Sequence, residues 1–425
     1  MAACWSSELG AGVSPMKIWG VSAAGSRRAA VAREPEGQKN GIGDGTCDAA
    51  AGGCAGDWAW AQPTASSSSA KPSLGPADGL SPGCLRLIAR IKSEPPVDLR
   101  LDVSTLRSTA DLCAVLAAAG GAGSVRTLTF GPWGGNEDAN PGSAVPCDSA
   151  DTALRALLAC SSIWSTWSLR SFAFVELGAV DASNIFSALS AMPRGPGLST
   201  LRLVSLGLGT AGVEACAAAL RARHRCEPLH LDLSSNSLGD DSVKALLPLL
   251  DATEASTPPI VVGLNVSGNP HITVIGLQRL LAAPGALLGL QELDLSECSL
   301  GPSGAKILAS HLSAFGCALR DLTAYRCGLG VDGVLLLVAA AASAPLLRSL
   351  SLVANGQHSQ SWLASVGASV ARALSAPLPG LRVLTLSCPE AELAAARELV
   401  GGLPLRVILV PNQQNNYNRA LFLGD

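Results

Sequence analysis

Several signatures of common protein classes are missing from this chain of 425 residues. It contains no G-x-S-x-G, no Walker sequence G-x-x-x-x-G-K-[ST] and no H-E-x-x-H, so it shows no nucleophile elbow, phosphate loop or zinc-protease helix. The 13 cysteines are odd in number and form no C-x-x-C pair, which argues against a metal site or a disulfide framework. These absences favour a non-enzymatic protein with no cofactor and no metal.

Charge and long apolar segments are also scarce. The formal net charge of −3 does not favour a nucleic-acid partner. The longest apolar run, residues 334–347, is interrupted by Ser343 and Pro345 and is shorter than the about 18 residues of a membrane span. No secretory signal is evident, although residues 1–33 weakly resemble an organelle transit peptide. The sequence therefore predicts a cytoplasmic protein without membrane contact, with a nuclear location as the alternative.

What the chain does contain is a repeated phrase, L-x-x-L-x-L-x-x-N/C-x-L or a close variant of it, in ten copies followed by a truncated eleventh. Apolar residues alternate within each copy as in a strand, and the alanine-rich stretch that follows has the period of a helix. The fourth position of the phrase is the inward-facing anchor. The anchors are Leu99, Leu128, Phe172, Leu201, Leu231, Leu264, Leu293, Leu322, Leu350, Leu384 and Ile408.

One strand-turn-helix unit cannot bury both of its apolar faces, so the units must stack. The predicted fold is an α/β leucine-rich repeat solenoid, a horseshoe arc with a parallel sheet on the concave side and helices on the convex side. The ninth position of the phrase is polar, because a side chain there can pair buried backbone groups of the neighbouring turn. This ladder is formed by Asn236, Asn269, Cys298, Cys327 and Asn355, and its two thiols are predicted to be buried structural groups.

Three regions are predicted along the chain. Residues 1–92 form a disordered low-complexity arm, residues 93–412 a repeat domain of about ten to eleven repeats, and residues 413–425 a C-terminal tail. Two motifs of the arm stay open. Asp57-Trp-Ala-Trp60 is either a docking motif or sequence without a role, and residues 91–94 around Lys92 resemble a SUMO acceptor.

Gly207-Leu-Gly-Thr-Ala-Gly212 imitates a dinucleotide-binding fingerprint, because it follows a strand and precedes a helix. The repeat register accounts for it better. Glycine recurs at the same distance from the anchor in Gly209, Gly301 and Gly330, where it serves the turn into each helix.

The 28- to 29-residue period, the Asn/Cys ladder and phrases such as residues 231–239 resemble the ribonuclease-inhibitor-like class of leucine-rich repeats, over residues 96 to about 412. That class includes ribonuclease inhibitor, the Ran GTPase-activating protein, sensing domains of NOD-like receptors and substrate-recognition subunits of ubiquitin ligases. The early repeats depart from it, since Trp133, Leu177 and Leu206 replace Asn, and 44 residues separate Leu128 from Phe172.

The resemblance implies that the concave strands bind a partner, and it leaves three functions open. The first is a non-enzymatic scaffold or adaptor that binds another protein. The second is a GTPase-activating protein like the Ran activator, in which Arg326 would stabilise the transferring phosphate. The third is a substrate-recognition subunit of a ubiquitin ligase. The sequence does not name the partner, and a monomer is the default state.

The exposed strand positions are where a partner is expected to bind. Interface energy concentrates in Tyr, Trp and Arg, so the cluster of Tyr325 and Arg326 with Asp294 and Glu297 is the predicted contact patch. A solvated polar surface explains the same residues equally well. Arginine also follows the first leucine of the phrase in Arg126, Arg170, Arg320, Arg348 and Arg382, and is expected to line one edge. The predicted protein-binding residues are Arg202, Asp232, Asp294, Glu297, Arg320, Asp321, Tyr325, Arg326 and Arg348.

Overall fold

A computed structural model of the chain describes residues 80–96, 98–102, 109–120, 125–131, 167, 169–177, 181–191, 198–222, 228–250, 259–356, 363–374, 380–403 and 405–411. These residues belong to one compact unit. The arm predicted before residue 80, the motif at residues 57–60, Trp133 and the C-terminal tail lie outside the described residues.

Each strand of the described chain pairs in parallel with the next strand in sequence, giving a single sheet in the order β1 to β11. This order holds even across the 44-residue interval, where Leu128 pairs with Phe172. The strands are β1 (Asp98–Asp102), β2 (Thr127–Gly131), β3 (Ser171–Val175), β4 (Thr200–Val204), β5 (Leu229–Asp232), β6 (Val261–Asn265), β7 (Glu292–Asp294), β8 (Asp321–Thr323), β9 (Ser349–Ser351), β10 (Val383–Cys388) and β11 (Arg406–Pro411).

Helices alternate with these strands, and successive helices pack on one another, as Gly301–Leu312 does on Gly330–Ala341. The predicted α/β leucine-rich repeat solenoid is confirmed. None of the helices in the described ranges is long and apolar enough to cross a membrane. The helices are Pro82–Ser93, Thr109–Gly120, Ala182–Ala191, Gly209–Ala222, Asp240–Leu250, Val274–Ala282, Pro284–Gly289, Gly301–Leu312, Gly330–Ala341, the π-helix Leu363–Gly367, Ala368–Leu374, the 3-10 turn Glu390–Glu392 and Leu393–Val400.

The predicted anchors form one buried column across the sheet, from Leu99 opposite Leu128 to Leu350 opposite Leu384. The last anchor was predicted one residue too late: Val407, and not Ile408, pairs with Leu384. Strand β11 has four consecutive apolar residues, so its sequence shows no alternation that would mark the inward residue. Among the described strands it pairs with β10 alone, so burial does not mark the inward residue either.

The polar ladder is confirmed, and each rung serves the repeat before it. The Asn236 side-chain oxygen accepts from the Leu206 N–H at 2.8 Å, and that of Asn269 accepts from the N–H groups of Asn236 and Leu238, both at 2.9 Å. Their amide groups donate to backbone carbonyls. Because amides buried without partners are costly, the ladder is a structural requirement of the stack.

The boundary predicted at residue 93 lies too far along the chain. Helix Pro82–Ser93 is capped by Ser81, whose hydroxyl accepts from the Cys84 N–H, and it packs on the helix Thr109–Gly120. Cys84 and Ile91 are buried in the common core, and Cys84 Sγ donates to the Asp111 carbonyl oxygen at 3.4 Å. The helix covers the apolar surface at the N-terminal end of the described stack, and so belongs to it.

Candidate functional site

The strands present their outward residues in columns that run across neighbouring repeats. We call the side of the sheet away from the helices the sheet face. Its central column contains Arg202, Asp232, Asn265, Asp294 and Thr323, which the strand register places side by side. The column thus brings together three of the predicted binding residues.

Asp232 lies beneath its neighbours in this column. Its side chain has no exposed surface, and Arg202 Nε donates to Asp232 Oδ2 at 3.2 Å. Burial raises the pKa of Asp232, while Arg202 and the hydrogen bonds from Ser234 act in the opposite direction. Asp232 therefore positions the partly exposed Arg202 and does not itself offer a contact to a partner.

In each of the next two repeats, the residue in the central column accepts a hydrogen bond from the N–H two residues later. Asn265 Oδ1 accepts from the Ser267 N–H at 2.9 Å, and Asp294 Oδ1 accepts from the N–H and the hydroxyl of Ser296 at 2.9 and 2.6 Å. Burial, followed by smaller contributions from the charges of Asp232 and Glu297, raises the pKa of Asp294 to about 6, against the lowering effect of Ser296. Asp294 is therefore ionised at neutral pH and partly protonated near pH 6.

A second group lies where the strands end. The residue four positions after each anchor has a left-handed backbone from β3 to β9, and we call this the left-handed row. Its members, with their φ angles, are Glu176 (55°), Ser205 (55°), Ser235 (57°), Gly268 (68°), Glu297 (60°), Arg326 (53°) and Ala354 (58°).

Glu297 and Arg326 are neighbours in the left-handed row, and their side chains meet. Arg326 Nη1 lies 3.6 Å from Glu297 Oε1, and the Arg326 guanidinium lies 5.9 Å from the centre of the Tyr325 ring. Both charged side chains are about half exposed, and Tyr325 is partly buried. The predicted contact patch, Asp294, Glu297, Tyr325 and Arg326, is thus assembled on β7, β8 and the turns that follow them.

This arrangement bears on the GTPase-activating hypothesis, for which Arg326 was the nominated arginine. A catalytic arginine must reach a nucleotide phosphate on the partner. Here the guanidinium is held between Glu297 and the Tyr325 ring. A role of Arg326 in phosphate chemistry stays a prediction.

A third group lies where the strands begin, and sequence reasoning missed its centre. His230 of β5 reaches across β6 to Glu292 of β7, with 2.9 Å between His230 Nδ1 and Glu292 Oε2. It crosses at Gly263, where an added Cβ would overlap the imidazole. A glycine inside a strand pattern signals such a close approach, and so could have revealed the contact.

Asp321 is the next residue in the column of Glu292. Burial and the charge of Glu292 raise the pKa of Asp321 to about 6, while Arg348 and Arg320 lower it.

Arg320, Arg348 and Arg382 occupy consecutive repeats, since the Arg348 N–H donates to the Arg320 carbonyl oxygen at 2.7 Å and the Arg382 N–H to that of Arg348 at 2.8 Å. The predicted line of arginines thus exists in these three repeats.

The remaining sequence motifs fit structural roles. Gly209, Gly301 and Gly330 have φ between 54° and 75° and form the turns into their helices, as the repeat register predicts. Cys298 and Cys327 are buried, burial raises the pKa of Cys327 to about 12, and its Sγ donates to the Leu295 carbonyl oxygen at 3.1 Å. Among the residues that the structure describes, no group of His, Cys, Asp and Glu side chains is arranged to hold a metal ion.

The resemblance of residues 91–94 to a SUMO acceptor falls at the end of the first helix. Ile91, the apolar residue of the motif, is 4% exposed and packs in the core, whereas Lys92 is exposed. Modification of Lys92 stays a prediction.

Comparisons with known proteins agree with this architecture. The family model described as Leucine Rich repeat matches residues 229–247 and 290–309. Ribonuclease inhibitor from Sus scrofa is 35% identical over 97 residues, which is 23% of this chain and 20% of that protein. NACHT, LRR and PYD domains-containing protein 12 from Mus musculus is 33% identical over 132 residues, 31% of this chain and 12% of that protein. The matched segments thus span a fifth or less of these relatives.

Among solved structures, the crystal structure of the Rad7 and Elc1 complex in yeast aligns with a TM-score of 0.42 and 14% identity, over 79% of this chain and 85% of that one. The two segments that match the family model fall on repeats whose strands, helices and ladder residues the structure describes. The described part of the chain therefore contains leucine-rich repeats, and its matched segments are similar to those of ribonuclease inhibitor.

Proposed function

We propose that this protein is a non-enzymatic interaction scaffold, and that a partner protein binds the sheet face at the contact patch of Asp294, Glu297, Tyr325 and Arg326. The observation that carries the proposal is the pairing of Arg326 with both Glu297 and the Tyr325 ring on an ordered pair of turns. Tyrosine and arginine are the residue types that supply most interface energy.

The rigidity of this patch supports a binding role. Ordering long side chains on association costs about 0.5–1.5 kcal/mol for each side chain. Glu297 and Arg326 are held by left-handed turns and by each other, and the Glu297 N–H donates to the Tyr325 carbonyl oxygen at 2.6 Å. A partner that binds here therefore meets side chains that have already lost much of this freedom.

An exchange of the two charges tests the proposal. The double variant Glu297→Arg/Arg326→Glu can keep the ion pair and the fold while it inverts the charge presented at each position. Proximity labelling and affinity capture with the full chain should recover partners with the wild-type protein, and the double variant should lose at least about tenfold of that recovery.

The matched control is the exchange Asp241→Arg/Arg279→Asp, which inverts another exposed ion pair, 3.4 Å long, between two helices. This control should recover the wild-type set of partners. The proposal fails if both double variants recover that set equally well.

A further inference from the structure

A second surface of this chain combines exposed apolar side chains with arginines. Phe315 is fully exposed, and Leu288 and Leu346 are 68% and 49% exposed. These three residues, which we call the apolar row, occur in consecutive repeats: Leu288 is in the short helix Pro284–Gly289, and Phe315 and Leu346 each lie between a helix and the strand that follows. Contiguous exposed apolar residues on a folded protein mark interaction sites more often than isolated ones do.

The backbone beside Phe315 lies next to Leu288 of the preceding repeat. Gly316, next to Phe315, lies so near to Leu288 that an added Cβ would be 3.3 Å from Leu288 Cδ2. Its φ of 86° turns the chain back toward β8 after the exposed phenylalanine. Phe315 is therefore held outward by a turn, beside an exposed leucine of the previous repeat.

Two members of the arginine edge, which consists of Arg320, Arg348 and Arg382, follow members of the apolar row closely in the sequence. Arg320 follows Phe315 by five residues, Arg348 follows Leu346 by two, and the hydrogen bonds between these arginine backbones place them on consecutive repeats. In the described part of the chain none of the three guanidinium groups forms an ion pair. Two carboxylates, Asp321 and Glu292, lie in the same region, so the three arginines leave positive charge in excess.

We infer that the apolar row and the arginine edge together bind a segment of a partner protein that carries both carboxylates and apolar side chains. Charge complementarity selects the acidic component, because three arginines on consecutive repeats attract carboxylates and pair with them in two-pronged geometry. Phe315 and the two leucines select the apolar component. The inference deepens the scaffold function proposed above by giving a second contact its chemistry, and it uses none of the four side chains of the contact patch.

The test uses fluorescein-labelled synthetic peptides and the full chain, with binding measured by fluorescence polarisation. One peptide intersperses Glu and Leu among serines, a second replaces Glu by Lys, and a third replaces Leu by Ser. The Glu/Leu peptide should bind, the Lys/Leu and Glu/Ser peptides should bind at least about tenfold more weakly, and added salt should weaken binding because it screens exposed charges.

Two variants locate the binding site. Phe315→Ser and the double variant Arg348→Glu/Arg382→Glu should each weaken binding of the Glu/Leu peptide at least about tenfold. Their matched controls are Ile275→Ser, which alters a 53% exposed apolar side chain on a helix, and Arg397→Glu, which alters an exposed helical arginine. Both controls should bind like the wild type. All of these side chains are exposed, so the fold should persist, as circular dichroism will check.

Four results would overturn the inference: no binding of the Glu/Leu peptide, equal binding of the Lys/Leu peptide, equal effects of variants and controls, or binding to phosphatidylserine vesicles in place of the peptide. A dimer that sedimentation detects and that Phe315→Ser abolishes would instead assign the surface to a second copy. The Glu297→Arg/Arg326→Glu variant should bind the peptide normally. If it does so but also recovers the wild-type partners, the proposed contact patch alone is refuted.

Discussion

The first four strands and the five that follow build the same sheet with different interiors. Around β2 and β3 the interior is aromatic: Phe130 and Phe174 stack with ring centres 5.0 Å apart, and Phe172 meets both rings edge to face. In these early repeats Leu177 and Leu206 fill the ladder position. From β5 to β9 the same position holds Asn236, Asn269, Cys298, Cys327 and Asn355.

The junction between the two regions explains how they coexist. The Asn236 side chain accepts from the N–H of Leu206. The first polar ladder residue thus provides the acceptor for the backbone N–H of the last apolar ladder residue. Likewise Asn355 accepts from the Cys327 N–H at 2.8 Å. A repeat therefore depends on the ladder residue of its successor more than on its own.

Phe172→Ala should be the most damaging change in the apolar region. Phe172 is fully buried between two other rings, and loss of a buried phenylalanine costs about 4 kcal/mol because a cavity remains. Urea unfolding followed by circular dichroism measures the loss, and hydrogen exchange should show it concentrated around β2 and β3. Phe186→Ala, on an exposed helix position, is the control and should cost far less. Uniform loss of protection along all strands would contradict the division into two regions.

Asn269→Ala should be the corresponding break in the polar region. It leaves the N–H groups of Asn236 and Leu238 without their acceptor, at a cost of about 3 kcal/mol. Cys298→Ala, in the same position of the next repeat, should cost about 1 kcal/mol because a thiol makes weaker hydrogen bonds. Hydrogen exchange should place the Asn269 effect in the repeat before it. Equal costs for the two variants would show that the ladder works by packing alone.

Asp294→Asn should give a smaller, pH-dependent gain in the polar region. A carboxyl whose pKa is raised by folding, from 3.8 to about 6, keeps its proton longer in the folded chain, so stability falls as pH rises through that interval. An asparagine removes this loss and can still accept from the Ser296 N–H, as Asn265 does from Ser267.

The Asp294→Asn variant should therefore match the wild type near pH 4 and exceed it by about 1 kcal/mol above pH 6, where the partial exposure of Asp294 limits the gain. Thermal unfolding at both pH values measures the difference. Asp241→Asn, at a mostly exposed carboxylate, should show no such pH dependence. A variant less stable than the wild type at pH 7 would contradict the prediction.

The periodic part of this molecule could be predicted from its sequence. Leucine anchors at regular spacing define the register, since one face of each strand must be buried. The pattern failed at the ends of the stack: Ile408 belongs to a run of four apolar residues, and Ser81 to Ser93 carry no repeat phrase although they form the covering helix.

The candidate site could be predicted in part. Tyr325 and Arg326 stand out by residue type and do meet Glu297. The burial of Asp232 depends on Arg202, which lies thirty residues earlier, and a single repeat phrase gives no sign of it. The His230 to Glu292 contact skips a strand, so it requires the residue between them, Gly263, to be read together with both neighbours.

The left-handed row has a practical consequence for protein engineering. Its backbone shape is imposed by the stack, since residues as different as Glu176, Ser205, Arg326 and Ala354 adopt it. Except at Gly268, where an added Cβ would lie 2.6 Å from Ser235 Oγ, side chains there can be exchanged without altering the leucine anchors or the ladder. A library that randomises the other positions of this row would thus change what the molecule recognises, because folding depends on other residues.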